Sequence, residues 1–416
     1  MLFRILILLF VLLIVPDVYI YYAYVRHWTN KWHLRLITYL PSIALLIYMG
    51  LVLSHDDMHL EHQTSVGRFM MVFLAITVPR FIFTLLDPIG LLGGAKFRRY
   101  VRLSAMTIAF FSVILLGYGY FIGRNRYVVE RHTMEFQTLP KAFDGYRIAH
   151  FSDLHLGTFH DGHQDDVNTI VELINSLDCD VILFTGDLVN YESRESDGFR
   201  RVLSRLKARD GVYAIMGNHD YSMYIKTLTP EMVKADIEEL QRRERSYGWK
   251  LLLNDNAIIR RGNDSIVIIG SENDGTGRFP ALGDLPKATH GLTGVLRTAA
   301  PHDSVAKAAA HPFSVLLTHD PTHWRRRVLP ETTIDLTLSG HTHAGQFKVF
   351  GWSPIAFVYD EWSGIYQEGS QLLNVTDGVG QVMFPFRFGA WPEIDVITLK
   401  VKGPLQLPQG GEKRDG

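Results

Sequence analysis

The apolar residues of this chain are spread very unevenly, and that limits what it can fold into. Residues 1–123 are dominated by Leu, Ile, Val, Phe and Tyr, whereas 126–416 have the mixed composition of a water-soluble domain. Four apolar stretches, about 2–25, 34–53, 69–92 and 101–122, each reach the roughly 20 residues that cross ~30 Å of hydrocarbon as a helix. The first lacks a small-residue cleavage site and three more follow it, so it reads as a span and not as a signal peptide. With 416 residues there is room for two or three structural units. A net charge of -1 argues against a nucleic-acid binder. The single cysteine, Cys179, excludes an intrachain disulfide and leaves the compartment open.

Basic residues in the short loops suggest an orientation. Arg26, Lys31 and Arg35 flank one loop, and Lys96, Arg98, Arg99 and Arg102 flank another. The N-terminus offers Arg4, and loop 54–68 only Arg68 beside Asp56, Asp57 and Glu61. A multi-pass protein with both termini and the catalytic domain outside the cytoplasm is therefore expected, although Arg124, Arg126 and Arg131 pull the other way. Asp17, Arg80 and Asp87 fall within or near the spans, where charges usually form structural pairs between helices. The His- and Asp-rich loop Ser54–His62 has a composition more common in solvated loops than in metal sites.

Past an expected connector at 124–145, one arrangement recurs five times. A short apolar run, rich in β-branched residues, ends in a polar cluster. The runs 146–151, 180–185, 211–216, 312–318 and 334–339 lead into Asp153-x-His155, Gly186-Asp187, Gly217-Asn218-His219-Asp220, His319-Asp320 and Gly340-His341-x-His343. Such runs suit buried strands. Helical spacing separates them at Val167–Leu177 and Phe199–Leu206, and a helix start is expected at Thr229-Pro230. Strand alternating with helix, polar groups at strand ends, is how several strands converge on one crevice. After residue 250 the short runs look antiparallel, with 371–375 and 394–401 completing a second sheet. Residues 280–311 read as an inserted loop or lid, and 403–416 as a disordered tail.

Asp153 and His155 are two apart, so on an extended strand end they face one way and can grip one ion. His341 and His343 repeat that spacing, Asp187 can bridge two ions, and Asn218 and His319 add neutral donors. A nitrogen–oxygen donor set without thiolate disfavours Ca²⁺ and a structural zinc site, and favours Mn, Fe or Zn.

This series of motifs resembles the calcineurin-like metallophosphoesterases over roughly 145–400. The resemblance implies an α/β (α+β) four-layer αββα sandwich, expected at 146–402, with two facing sheets between helices. It implies that Asp153, His155 and His343 hold one of two divalent ions and that Asn218, His319 and His341 hold the other. Asp187 would bridge them, with His219 as catalytic histidine and Asp220 as its orienting partner. Gly378-x-Gly380, Pro385-x-Arg387-Phe388-Gly389 and Pro392-Glu393 look like the branch of membrane-associated hydrolases of UDP-diacylglucosamine, and Arg387 is a candidate for the substrate phosphate.

The expected activity is hydrolysis of a phosphoester or pyrophosphate, by in-line attack of a hydroxide held between two ions ~3.5–4 Å apart. The substrate would be a phosphorylated small molecule or lipid at the membrane. Rival readings are a phosphoprotein phosphatase, a cyclic-nucleotide phosphodiesterase, and a sensor or transporter in which the spans carry the function.

Overall fold

In a bilayer no water can serve the backbone, so a crossing segment must close its hydrogen bonds within itself as a helix. The computed structural model describes residues 2–54, 60–160, 162–297 and 311–403. Among the described residues three helical segments are long and apolar enough to cross a membrane: Trp32–Leu53, His62–Leu92 and Ala95–Asn125. The stretch expected as a further span is also helical, Leu2–Ile20, and continues through a π-turn at Tyr21–Val25 to Trp28. Leu13, Leu45, Val52, Phe69 and Phe73 pack these helices together. Arg80 pairs with Asp17 and donates to Ser42 Oγ at 3.0 Å. Asp87 accepts from the hydroxyls of Tyr19 and Tyr24, with Arg102 Nε 3.4 Å away. Of the loop Ser54–His62, residues 55–59 lie outside the described residues.

The rest of the chain builds two six-stranded sheets. The first contains β1 (Val128–Phe136), β2 (Arg147–Phe151), β3 (Val181–Phe184), β4 (Val212–Ala214), β5 (Lys250–Leu251) and β12 (Glu393–Val401), in the order β1-β12-β2-β3-β4-β5. The second contains β6 (Asp255–Arg261), β7 (Asp264–Gly270), β8 (Ser314–Leu317), β9 (Leu336–Ser339), β10 (Gly364–Glu368) and β11 (Gln371–Val375), in the order β10-β11-β9-β8-β7-β6. Alternation decides which side chains meet between the sheets. Ile148, Val181 and Leu183 of one sheet share a core with Val315, Leu317, Leu336 and Leu338 of the other. Ala149, Phe151, Ile182 and Phe184 point the opposite way and pack on Val167, Ile170, Val171 and Ile174 of the helix Gln164–Ser176. On the far side of the second sheet, Val267, Ile269 and Leu316 meet Trp324 and Val328. This is the helix–sheet–sheet–helix sandwich that the motif series implies.

Several expectations need correction. The connector at 124–145 contributes β1, which pairs in parallel with β12 along its full length. Glu130, Arg131, His132 and Glu135 hide that strand in the sequence, because an edge strand presents much of itself to water. The run 394–401 becomes β12 of the first sheet, and only 371–375 joins the second. That second sheet is mixed: β6–β7 and β10–β11 are antiparallel, whereas β7–β8, β8–β9 and β9–β11 are parallel. The helix expected over Phe199–Leu206 is one turn, Arg200–Leu203. The helix at Thr229-Pro230 forms as expected, Pro230–Ser246, with Thr229 Oγ1 accepting from Met232 N–H at 3.3 Å. Within 280–311 a short helix spans Leu285–Ala288, while 298–310 and the tail from 404 lie outside the described residues.

The two parts of the molecule meet through the Pro385–Phe388 segment. Phe386 packs between Met71 and Leu116. The backbone approaches so closely at Gly119 that a Cβ there would overlap the Phe386 ring. Arg387 N–H donates to Gly119 O at 3.2 Å.

Candidate metal centre

Every candidate ligand sits immediately beyond a strand or in the turn that follows it, and the turns are costly. Asp153, His155, Asp187, His341 and His343 all have φ between 51° and 75°, the left-handed region that residues with a Cβ rarely adopt. Five such residues, at the ends of β2 and β3 in one sheet and β9 in the other, bring their side chains into one crevice. Glycine supplies the remaining room. A Cβ at Gly340 would overlap Asp153 Oδ2 and Ser152 Oγ, and one at Gly217 would overlap Asp187 Oδ1.

The side chains form two groups, each of three residues whose donor atoms lie within 4.8 Å of one another. One is Asp153, His155 and His343, the other Asp187, His319 and His341. In the first, His343 Nε2 is 3.3 Å from Asp153 Oδ1 and 3.1 Å from His155 Nε2. In the second, His319 Nε2 is 3.1 Å from Asp187 Oδ2 and 3.2 Å from His341 Nδ1. Asp187 Oδ2 also lies 3.7 Å from His155 Nε2, so this carboxylate stands between the groups.

The residues around them settle orientation. His319 Nδ1 donates to Thr185 O at 2.8 Å, which turns Nε2 toward Asp187 and the crevice. His341 turns Nδ1 inward because its Nε2 contacts Tyr359 Oη at 2.8 Å. Asn218 Nδ2 donates to Tyr224 Oη at 2.7 Å, and its Oδ1 is buried without a hydrogen-bond partner.

The electrostatics run the same way. Burial would raise the Asp153 and Asp187 carboxyls, but the neighbouring imidazoles hold both below the ordinary carboxylate value. Burial drives His155 well below its ordinary value and His341 down to about 4. Burial would lower His319 too, yet Asp187 and Asp153 carry it up to about 10. Ionised carboxylates facing mostly neutral rings are the protonation states a divalent cation needs. Buried imidazole nitrogens 3.1–3.2 Å apart and an unpartnered Asn218 oxygen fit such ions in both groups.

Two expected roles do not survive the geometry. Asp220 does not orient His219. Its carboxylate accepts the backbone N–H groups of Gly217, Asp187, Leu188 and Val189 at 2.8–3.1 Å, which leaves it holding the Asp187 turn. Burial, then the Asp187 charge, pushes Asp220 up to about 7. His219 is held instead by a main-chain carbonyl, with Nδ1 2.5 Å from Asn190 O and its backbone N–H on Asp187 Oδ1 at 2.9 Å. Arg387 does not reach a substrate either, being fully buried. Its guanidinium donates to the carbonyls of Asp377, Gly378, Gly380 and His343, and Nη2 lies 2.9 Å from His343 Nδ1. It braces the His343 ring from behind.

Sequence reasoning missed Tyr224, Tyr359, Asn190 and Glu195. None of them ends a strand, and their only signal, a polar or aromatic residue in a loop, is common everywhere.

A model of the family described as calcineurin-like phosphoesterase matches residues 146–345. The chain is also 30% identical over 293 residues to the metallophosphoesterase YkuE of Bacillus subtilis (strain 168), an alignment that covers 68% of this chain and 90% of that protein. The chain belongs to the calcineurin-like phosphoesterase family. This phosphoesterase is 30% identical over 272 residues to a Danio rerio protein named "Transmembrane protein with metallophosphoesterase domain", covering 64% of this chain and 55% of that one. It spans only about half of that relative. A metallophosphoesterase of Helicobacter pylori (strain ATCC 700392 / 26695) is 24% identical over 390 residues, 91% of each chain. Membership makes the chain a hydrolase that uses divalent metal ions, and its apolar helices associate it with a membrane.

Proposed function

We propose that this chain is a multi-pass membrane phosphoesterase with two metal ions, its catalytic domain on the extracytoplasmic side. Asp153, His155 and His343 would hold one ion and Asn218, His319 and His341 the other, with Asp187 shared between them. The observation that carries this reading is the pair of buried three-residue groups with Asp187 between them.

When bound, the ions supply Lewis-acid polarisation of the phosphoryl oxygens and an activated water. The chain's own residues do the rest. Asp187 and Asp153 bring anionic charge to balance the cations, and the strained turns pre-set the donor directions. His219, anchored through Nδ1 to Asn190 O, leaves Nε2 to pass a proton to the leaving oxygen. Asp220 is a positioning residue that fixes the Asp187 turn.

The substrate is proposed to be a phosphoester or pyrophosphate presented at the bilayer surface, in the branch that resembles hydrolases of UDP-diacylglucosamine. Docking of the catalytic domain on apolar helices at Phe386 supports a membrane-borne substrate. The test is hydrolysis of an aryl phosphodiester by the full-length protein in detergent with added Mn²⁺, followed by a panel of lipid-linked nucleotides. Asp187→Ala is expected to lower turnover by at least roughly 10³-fold, and His219→Ala by roughly 10²-fold. Full activity in the double variant would overturn the reading.

A further inference from the structure

The helix Leu60–Leu86 enters the catalytic domain at its first turn. Gln63 is buried there, with its amide bonded at both ends. Nε2 donates to Glu195 Oε1 at 2.6 Å, and Oε1 accepts from Asn190 Nδ2 at 3.0 Å. The Glu195 carboxylate also accepts the backbone N–H of Asn190 at 2.5 Å and of Tyr191 at 2.9 Å. Tyr191 N–H and Asn190 C=O belong to one planar trans peptide group and point in opposite directions. That carbonyl takes Nδ1–H of His219 at 2.5 Å. A continuous line of hydrogen bonds therefore runs from Gln63 through Glu195 and the 190–191 peptide to His219.

Room for this line is built in. A Cβ at Gly157 would come within 2.5 Å of Gln63 Oε1 and Glu195 Oε2, and within 2.7 Å of Asn190 Nδ2. One helical turn beyond Gln63, a Cβ at Gly67 would meet Pro385 Cδ at 3.4 Å, so the helix seats closely on the domain. An amide suits position 63 because it donates to a carboxylate and accepts from another amide at once. Leucine offers neither bond, and glutamate would face Glu195 with a second carboxylate.

We infer that Gln63 is a positioning residue of the active site: acting through Glu195 and the 190–191 peptide, it holds His219, so that a membrane helix completes the site. The inference rests on the proton-transfer role proposed above for His219. A hydrogen-bonded line of this kind polarises along its length and fixes the peptide plane from behind. Without Gln63 the Glu195 carboxylate loses its side-chain donor, the peptide can rotate, and His219 loses its bearing on the leaving group.

The test compares two methyl aryl phosphodiesters, one releasing p-nitrophenol and the other phenol, with full-length protein in detergent and saturating Mn²⁺. Phenolate is the poorer leaving group and depends more on a proton donor. His219→Ala should therefore lose more activity on the phenyl ester than on the nitrophenyl ester. Gln63→Leu should show the same selective loss, with kcat on the phenyl ester down roughly tenfold and KM and metal content unchanged. Gly157→Ala keeps the Gln63 side chain but intrudes on its junction with Glu195 and Asn190, so it should reproduce the effect and stands in if Gln63→Leu does not fold. Equal losses on both esters, or none, in the Gln63 and Gly157 variants while His219→Ala stays selective would reduce Gln63 to an anchor. A non-selective His219→Ala would instead remove the His219 role, and the inference would fall with it.

Discussion

Among the described residues of the helical third, each buried carboxylate meets a partner from a neighbouring helical segment: Asp17 meets Arg80, and Asp87 meets two tyrosine hydroxyls with Arg102 beside them. At the strand ends, Asp153 and Asp187 meet the rings of His155, His319, His341 and His343. The backbone differs in the same way. Among the described residues no non-glycine position of the helical third has positive φ, whereas five of the seven candidate ligands do. Buried charge that the chain settles itself holds helices together. Buried carboxylates gathered with four imidazole rings on a strained backbone make instead a donor set that a cation would settle. The mere presence of charge inside an apolar region is therefore a poor guide to function, and its pairing is a good one.

The contrast can be broken at three places. Gly340→Ala should have the largest effect, because its Cβ would occupy the space of Asp153 Oδ2. Metal analysis should show about one ion lost per chain, and turnover should fall on the order of a hundredfold. An unchanged metal content would mean that Asp153 does not depend on that space. Asp17→Asn should act on stability alone. It leaves the half-buried Arg80 guanidinium without its carboxylate, at a cost of about 1–3 kcal/mol, and thermal unfolding followed by helical circular dichroism in detergent would register it. Its metal content should stay that of the parent protein; a loss would show that the two regions do not settle their charge independently.

The smallest effect concerns the sheet. His132 Nε2 lies 3.2 Å from Asp395 Oδ1, and that hydrogen bond, against the opposing effect of burial, raises the imidazole above its ordinary value of 6.5. A group whose folded value is raised contributes stability fully below its unfolded value and loses it as pH rises through the folded one. The stability difference between the parent protein and His132→Phe should therefore be larger at about pH 5.5 than at about pH 9. Urea unfolding at both values checks it, and a difference that grows with pH would contradict the pairing.

Much of this was legible in the sequence because strand ends announce themselves. An apolar run stopping at Asp-x-His or Gly-His-x-His carries both the strand and its cargo in a few adjacent residues, and ten of the twelve strands were visible that way or as short runs between turns. β1 is hidden by its charged edge and β10 (Gly364–Glu368) by its mixed polarity, while β12, visible as a run, falls in the other sheet than expected because strand pairing over some 260 residues leaves no local trace. The motif resemblance implies that Asp220 orients His219, yet adjacent side chains in a tight turn point apart, and Asp220 faces four main-chain N–H groups. Arg387, the arginine of Pro385-x-Arg387-Phe388-Gly389, reads in the sequence as a candidate for a phosphate contact; its burial becomes apparent only with the fold. Gln63, at the edge of an apolar helix, gave no sign of its link to Glu195.

The central claim is that the strand ends hold two ions that share Asp187. The direct test is metal analysis of purified full-length protein beside the Asp187→Ala variant, each equilibrated with Mn²⁺ and freed of unbound metal. Two ions per chain are expected in the parent protein, and a marked loss of metal, with activity, in the variant. Two ions retained in Asp187→Ala, or fewer than two in a fully active parent protein, would contradict the claim.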